Sequence, residues 1–387
     1  MDIRENKICS KGVWDLTVPD IDFNPEGISN YARFQERMMS LYPRGTKGEE
    51  EWNGWIGRIR KGGRGKPYDC IIGVSGGTDS SYLLYLAKSY GLRPLAVYLD
   101  NGWGTDVSVK NIKKMTSKLG IDLETYVIDY EEVKCVLRSY MRASLPWVDY
   151  PTDLAIKAIL YRIAVREKLK FILTGEDFRT EGIQPMSWTN GDARQLRYIT
   201  KRFGNISLKS FPYINPFHQL FNGILLNIQV IRPYYFLDYQ KKKAQQYLSE
   251  HFEWEYYVGH HHKNLFTRFV ISYWLPRKFN IDKRIITLSA QVLSGEITRE
   301  HALETLHTPP YDPAEIERDK DLVIKKLDID QAEFGEIMKR PNKLYTDYPS
   351  YFPIFRTFGR LSTFLFRYIF SFRPMSFEIS DFIKHKK

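Results

Sequence analysis

The stretch Cys70-Ile-Ile-Gly-Val74-Ser75-Gly76-Gly77-Thr78-Asp79-Ser80 decides the fold. Residues 70 to 74 are apolar and read as a buried strand, and the run from Asp79 to Tyr90 reads as a helix. A strand that gives way to a helix through Ser-Gly-Gly is built to hold pyrophosphate. Two glycines let the backbone turn tightly and bring its N–H groups to an anion, Ser75 and Ser80 offer hydroxyls, and the helix start adds roughly half a positive charge. The lysine of a Walker loop is missing. Serine and glycine are also ordinary turn formers, so the placement of Asp79 and Ser80 at the helix start carries the phosphate reading.

Working outward, apolar runs recur at 70–74, 95–99, 123–128 and 171–174, separated by helical patterns near 79–90, 106–119, 130–142 and 152–168. This alternation predicts an α/β fold, a parallel doubly wound sheet. Ligands of such sheets bind beyond the carboxyl ends of the strands. The loop at Ser75, the Asp100-Asn-Gly-Trp103 turn and Thr174-Gly175-Glu176-Asp177 all fall there. Asp79, Glu176 and Asp177 are candidate Mg²⁺ ligands, and Asp100 a candidate ribose or adenine contact. Acidic residues at strand ends also cap helices, and that reading stays open for Asp177 and Asp100.

Residues 1–66 read as irregular, with a short helix from Ser29 to Ser40 and a flexible joint at Lys61-Gly-Gly-Arg-Gly-Lys-Pro67. After residue 180 the pattern is mostly helical, including an apolar helix near 218–231 and others at 192–203, 239–251 and 265–279. The expected divisions are thus 1–66, a core at 67–180, a helical acceptor or partner region at 181–350, and a basic aromatic tail at 351–387. In the helical region Trp188, Tyr213 and Phe217 are candidate pocket walls.

The chain has 387 residues, 43% of them hydrophobic, enough for a full core. Its three cysteines, Cys9, Cys70 and Cys135, argue against a disulfide framework and for a cytoplasmic setting. No signal-peptide pattern and no long apolar span are evident. Of the net charge of +11, residues 339–387 supply +7 through ten Lys or Arg against three Asp or Glu. A charge so localised argues against a nucleic-acid track. Between Pro353 and Pro374, Arg356, Arg360, Thr363, Arg367 and Ser371 form one stripe on an otherwise aromatic and aliphatic run. Its composition suits a peripheral helix at the inner face of a membrane or a helix docked on its own domain or a partner.

The order strand, glycine turn, Asp-Ser, helix resembles the PP-loop of the ATP pyrophosphatase superfamily, of the adenine nucleotide alpha hydrolase-like fold. That resemblance implies ATP and Mg²⁺ as cofactors, with Ser75, Gly76, Gly77, Thr78, Asp79 and Ser80 around the pyrophosphate and Asp100, Gly175, Glu176 and Asp177 completing the nucleotide site. Lys66-Pro-Tyr-Asp-Cys-Ile-Ile-Gly-Val-Ser-Gly-Gly-Thr-Asp-Ser80, Arg93-Pro-Leu-Ala-Val97, Phe266-Thr-Arg-Phe269, Leu275-Pro-Arg-Lys-Phe279, Leu293-Ser-Gly-Glu-Ile-Thr-Arg-Glu300 and Asp347-Tyr-Pro-Ser-Tyr351 together resemble the N-acetyl sugar amidotransferases of bacterial surface-glycan (LPS O-antigen) pathways. The resemblance implies conversion of an acetamido group on a nucleotide-activated sugar to an acetamidino group through an adenylated intermediate. It also implies ammonia from separate glutaminase and cyclase-like subunits, since no cysteine here has a glutaminase context.

Two departures from that family stand out. Its N-terminal cysteine quartet is reduced to Cys9, with Gly12, Ser29 and Ala32 at the other places, so no structural zinc is expected. In Gly259-His-His-His-Lys-Asn264, His261 and His262 fit the family run and are candidate catalytic or substrate contacts, whereas His260 and Lys263 differ from it. Alternative readings are a PP-loop enzyme that modifies tRNA, by thiolation or lysidine formation, and a catalytically silent scaffold. The missing Cys-x-x-Cys speaks against thiolation, and the intact loop against the scaffold.

Overall fold

The computed structural model describes residues 7–256, 264–309 and 311–357. Strands β1 Cys70–Val74, β2 Pro94–Asp100, β3 Leu123–Val127, β4 Phe171–Leu173 and β5 Gln229–Ile231 form one sheet in the order β3-β2-β1-β4-β5. All four pairings are parallel. The chain runs outward from β1 to β3 and then returns to place β4 on the other side of β1. That reversal makes the carboxyl end of β1 a topological switch point, where a crevice opens.

The helices, in chain order, are α1 Asn30–Leu41, α2 Thr46–Gly62, α3 Thr78–Ser89, α4 Asp106–Leu119, α5 Tyr130–Arg142, α6 Tyr150–Arg166, α7 Phe178–Glu181, α8 Met186–Thr189, α9 Ala193–Phe203, α10 Pro216–Ile224, α11 Lys241–Phe252, α12 Leu265–Phe269, α13 Arg284–Leu293, α14 Arg299–His307, α15 Pro313–Lys326, α16 Gln331–Lys339 and α17 Phe352–Thr357. Both faces of the sheet are covered, which explains why β1 reads as a continuous apolar run. Cys70, Ile72 and Val74 pack with α2, α3, α4 and α11, while Ile71 packs with Ala158, Ile159 and Ile163 of α6. Gly73 lets α6 lie close, because a Cβ there would meet Leu160 at 3.3 Å. The doubly wound expectation is met.

The helical half does not pack as a separate body. One core joins Trp14 and Tyr31 near the N-terminus, Tyr140 and Met141 of α5, Leu196 of α9, Phe266 and Phe269 of α12, and Val323 and Phe334 further on. It draws on residues from either side of positions 66 and 180.

Several expectations need correction. Residues 46–62, read as irregular, form the seventeen-residue helix α2. Its glycines lower helix propensity, but burial of Trp52, Ile56 and Ile59 outweighs that. The supposed joint that follows is tied down, with Lys66 Nζ donating to the Gly62 and Lys168 carbonyls at 2.8 and 2.7 Å. The apolar helix expected at 218–231 divides into α10 and the edge strand β5. The expected helix at 265–279 becomes α12 followed by a π-helical run, Val270–Phe279, with Pro276 inside it.

At the N-terminus, Cys9, Gly12, Ser29 and Ala32 are all buried. Cys9 is fully buried and its Sγ accepts from the Ser29 N–H at 3.3 Å. Ser29 in turn caps α1 through the Ala32 N–H. A Cβ at Gly12 would lie 2.6 Å from the Trp14 ring. His261, His262 and the run beyond residue 357 lie outside the described residues.

Candidate active site

The loop at residues 75–77 sits at the switch point between β1 and α3. Gly76 has φ +73°, and a Cβ on it would stand 2.1 Å from the Ser108 carbonyl oxygen, in the first turn of α4. No residue with a side chain fits there without moving backbone. The Gly76 carbonyl accepts from Trp254 Nε1 at 3.3 Å and Asn111 Nδ2 at 3.4 Å. Both donors clamp the loop from outside. Gly77, the residue preceding α3, supplies no side-chain cap. The start of α3 is therefore not capped by the residue before it, the arrangement that suits an anion.

Ser80 braces the loop from within. Its hydroxyl accepts from the Ser75 N–H at 3.2 Å, lies 3.3 Å from Ser75 Oγ and donates to the Gly77 carbonyl at 3.3 Å. Thr78 Oγ1 accepts from Gln245 Nε2 at 3.2 Å, which ties the helix start to α11.

Asp79 is the centre of a network that the sequence did not reveal. Its Oδ1 accepts from Tyr239 Oη at 2.6 Å and its Oδ2 faces Lys241 Nζ at 3.1 Å. Its backbone carbonyl accepts from Tyr234 Oη at 2.6 Å. The two tyrosine rings stack with centroids 3.9 Å apart. Burial, reinforced by Asp79, pushes both phenols well above their ordinary range, so they remain donors. Burial works against the charge on Lys241, but Asp79 and Glu181 outweigh it and hold its ammonium above the usual lysine value. A cation thus stands beside the loop although the Walker lysine is absent. The segment Arg232-Pro-Tyr-Tyr-Phe-Leu-Asp-Tyr-Gln-Lys241 carries these residues, and its only sequence signal is the density of aromatic and basic side chains.

The β4 loop joins the same site. A Cβ at Gly175 would lie 3.0 Å from the Asp79 carbonyl, so the two loops touch. Glu176 Oε2 accepts from Arg232 Nε at 2.6 Å, and that guanidinium holds its carboxyl below the usual range. Asp177 is buried, caps α7 through the Arg179 N–H, and pairs with Arg44 at 3.3 Å. Burial raises its carboxyl to about 6 against the pull of Arg44. Asp100 accepts from the Gly102 N–H at 2.9 Å, which closes its own turn at the end of β2.

The loop residues 75–80 and Gly175 are therefore brought together, with Glu176 and Asp177 each held by a different arginine. Among the described residues no group of three or more His, Cys, Asp or Glu is placed to hold a metal ion. The three carboxylates expected to bind Mg²⁺ do not form a ready cage, because each already has a cationic partner.

Comparison with known proteins adds the following. A 64-residue stretch is 31% identical to a tRNA(Ile)-lysidine synthase of Chlamydia pneumoniae, covering 16% of this chain and 20% of that protein. The match spans only about a fifth of that curated relative. Among solved structures, an NH3-dependent NAD synthetase from Campylobacter jejuni is 12% identical with a TM-score of 0.31, over 81% of this chain and 99% of the other. A U34-tRNA thiolase from Methanococcus maripaludis is 18% identical with a TM-score of 0.30, over 65% and 82%. Likenesses this distant carry no functional weight. Residues 263–361 match the family described as LPS biosynthesis protein WbpG-like, C-terminal domain. The expected resemblance to a surface-glycan (LPS) biosynthesis family is borne out in that stretch, which follows a glycine-loop α/β core in the same chain.

Proposed function

We propose that this protein is an ATP-dependent amidotransferase of surface-glycan synthesis, converting an acetamido group of a nucleotide-activated sugar to an acetamidino group. The single observation that carries the reading is the uncapped start of α3 behind Gly76, joined in one chain to a domain of the LPS-biosynthesis type. An amide oxygen is a poor leaving group. Its attack on the α-phosphorus of ATP gives an adenylate and releases pyrophosphate, after which ammonia adds at carbon and AMP departs. The loop N–H groups and Lys241 are suited to stabilise the departing pyrophosphate, and Tyr239 to fix the Asp79 carboxylate that orients Lys241. Since the carboxylates here form no cage, Mg²⁺ is assigned to the triphosphate it arrives with, as part of the substrate. The nitrogen is assigned to a separate glutaminase, with ammonium salts as its substitute in the assay.

The test is pyrophosphate release from ATP and Mg²⁺ with ammonium chloride across a panel of UDP- and CMP-linked acetamido sugars, with product masses recorded. Release that depends on one sugar, with a product about one mass unit lighter from exchange of O for NH, supports the reading. No release with any sugar, even with glutamine and a glutaminase supplied, refutes it.

A further inference from the structure

A second cluster of titratable groups lies at the same carboxyl edge of the sheet, outside the loop site. Asp149 precedes α6 and is 4% exposed. Its Oδ2 accepts from Thr267 Oγ1 at 2.5 Å, while its buried Oδ1 has no hydrogen-bond partner of ordinary geometry, the Thr152 hydroxyl lying near enough only to ease its charge. One turn on, Asp153 Oδ2 accepts from Trp147 Nε1 at 2.9 Å. Lys283 Nζ sits 3.9 Å from the centroid of that same Trp147 ring. One indole thus holds a carboxylate by its edge and an ammonium by its face.

The cluster adjoins the loop site along two lines. The charge of Glu176 raises the Asp153 carboxyl, and Gly175, next to Glu176, touches the Asp79 backbone. Glu181 attracts both Lys283 and Lys241, and Lys241 pairs with Asp79. Asp153 is exposed, and desolvation by its neighbours still raises its carboxyl. The loop mechanism uses none of Trp147, Asp149, Asp153 or Lys283.

We propose that Lys283, held over Trp147 beside Asp149 and Asp153, accepts the proton that the incoming nitrogen must shed during the amination step. The inference rests on the amidotransferase reading above. When ammonia adds to the adenylated carbon, its lone pair forms the C–N bond and the π pair moves onto the sugar's amide nitrogen. The new nitrogen then carries a positive charge. Transfer of one of its protons to neutral Lys283 Nζ frees a lone pair that re-forms a C=N bond, as the C–O bond breaks with its pair on the AMP phosphate. Without a base, departure of AMP would leave two positively charged nitrogens on one carbon, so the adduct reverts by losing ammonia.

Lys283 is suited to this work. Burial outweighs the attraction of Asp153, Glu181 and Asp149 and brings its ammonium down to about 8. The charged groups facing the cluster from other elements are Glu176, which acts on Asp153, and Glu181, which acts on Lys283, while Lys157 acts on Asp153 from α6 itself. Burial, then Asp153, raises Asp149 to about 7, so low dielectric draws the acid and the amine alike towards their neutral forms.

The experiment has two arms on the full chain. In the first, acetylation of Lys283 by a small acylating reagent is followed by mass spectrometry across pH; a midpoint near 8 is expected, and one near the ordinary lysine value of about 10.4 overturns the proposal. In the second, Lys283→Arg and Lys283→Met are compared with the unaltered protein in a single turnover, at a fixed concentration of unprotonated ammonia. Both variants should release pyrophosphate in the first turnover, while amidino product forms about 10²–10⁴-fold more slowly and its rise with pH disappears. Product formation retained by Lys283→Arg overturns the proposal, as does equal loss of pyrophosphate release and product. If the unaltered protein releases no pyrophosphate with any acetamido sugar, the parent reading fails; if it does and the variants aminate normally, only the role of Lys283 fails.

Discussion

Replacing Gly76 with alanine tests whether the loop is a pressed backbone turn. The new Cβ would stand 2.1 Å from the Ser108 carbonyl oxygen and 2.7 Å from its carbonyl carbon, at φ +73°. The left-handed conformation costs an L-residue about 1–2 kcal/mol. Relief of the clash must move either the loop or the first turn of α4, and the loop carbonyl is also pinned by Trp254 and Asn111. Overpacking of this kind costs about 1–3 kcal/mol, for a sum of about 2–5 kcal/mol. A fall in Tm of roughly 2–6 °C is expected, with ATP·Mg²⁺ affinity down at least about tenfold because the N–H groups no longer point at one anion. Differential scanning calorimetry and titration calorimetry read the two effects. Gly54→Ala is the control of opposite sign: Gly54 lies in α2, has no neighbour within 4 Å of a built Cβ, and should gain up to about 1 kcal/mol as alanine. A Gly76→Ala protein that melts with the unaltered chain and binds ATP equally well refutes the argument.

Two further predictions follow from buried carboxylates. Asp149 has a folded-state pKa raised to about 7, so its folded carboxyl holds a proton that the unfolded chain releases near pH 4. Its contribution is most favourable below the unfolded pKa and is lost as pH rises towards 7; Asp149→Asn should therefore stabilise the protein more at pH 8 than at pH 5, by ~2–4 kcal/mol, and a pH-independent difference in melting refutes the assignment. Asp177 is buried against Arg44, so Arg44→Met leaves an uncompensated charge and should cost ~3 kcal/mol at pH 8. The deficit should shrink below pH 6, where Asp177 takes up a proton, and equal losses at both pH values on thermal melting contradict it.

Four strands of the sheet and the phosphate loop were legible in local sequence. Strands buried on both faces leave unbroken apolar runs, and a strand-to-helix turn around an anion needs glycine at a fixed place, so both are written locally. Asp79 was legible as a site residue for the same reason. Tertiary structure decided who its partners are. Tyr234, Tyr239 and Lys241 lie some 160 residues away and reach it only because β5 adds to the sheet beside β4 and delivers α11 onto α3. That strand was itself hidden, since three residues carry too few alternations to show a period of two. Glu176 and Asp177 read alike as neighbouring acids, yet opposite sides of the chain meet different arginines, Arg232 and Arg44, and only one carboxylate is buried. Charge pairing and burial at a distance depend on how elements pack, and no local pattern records them.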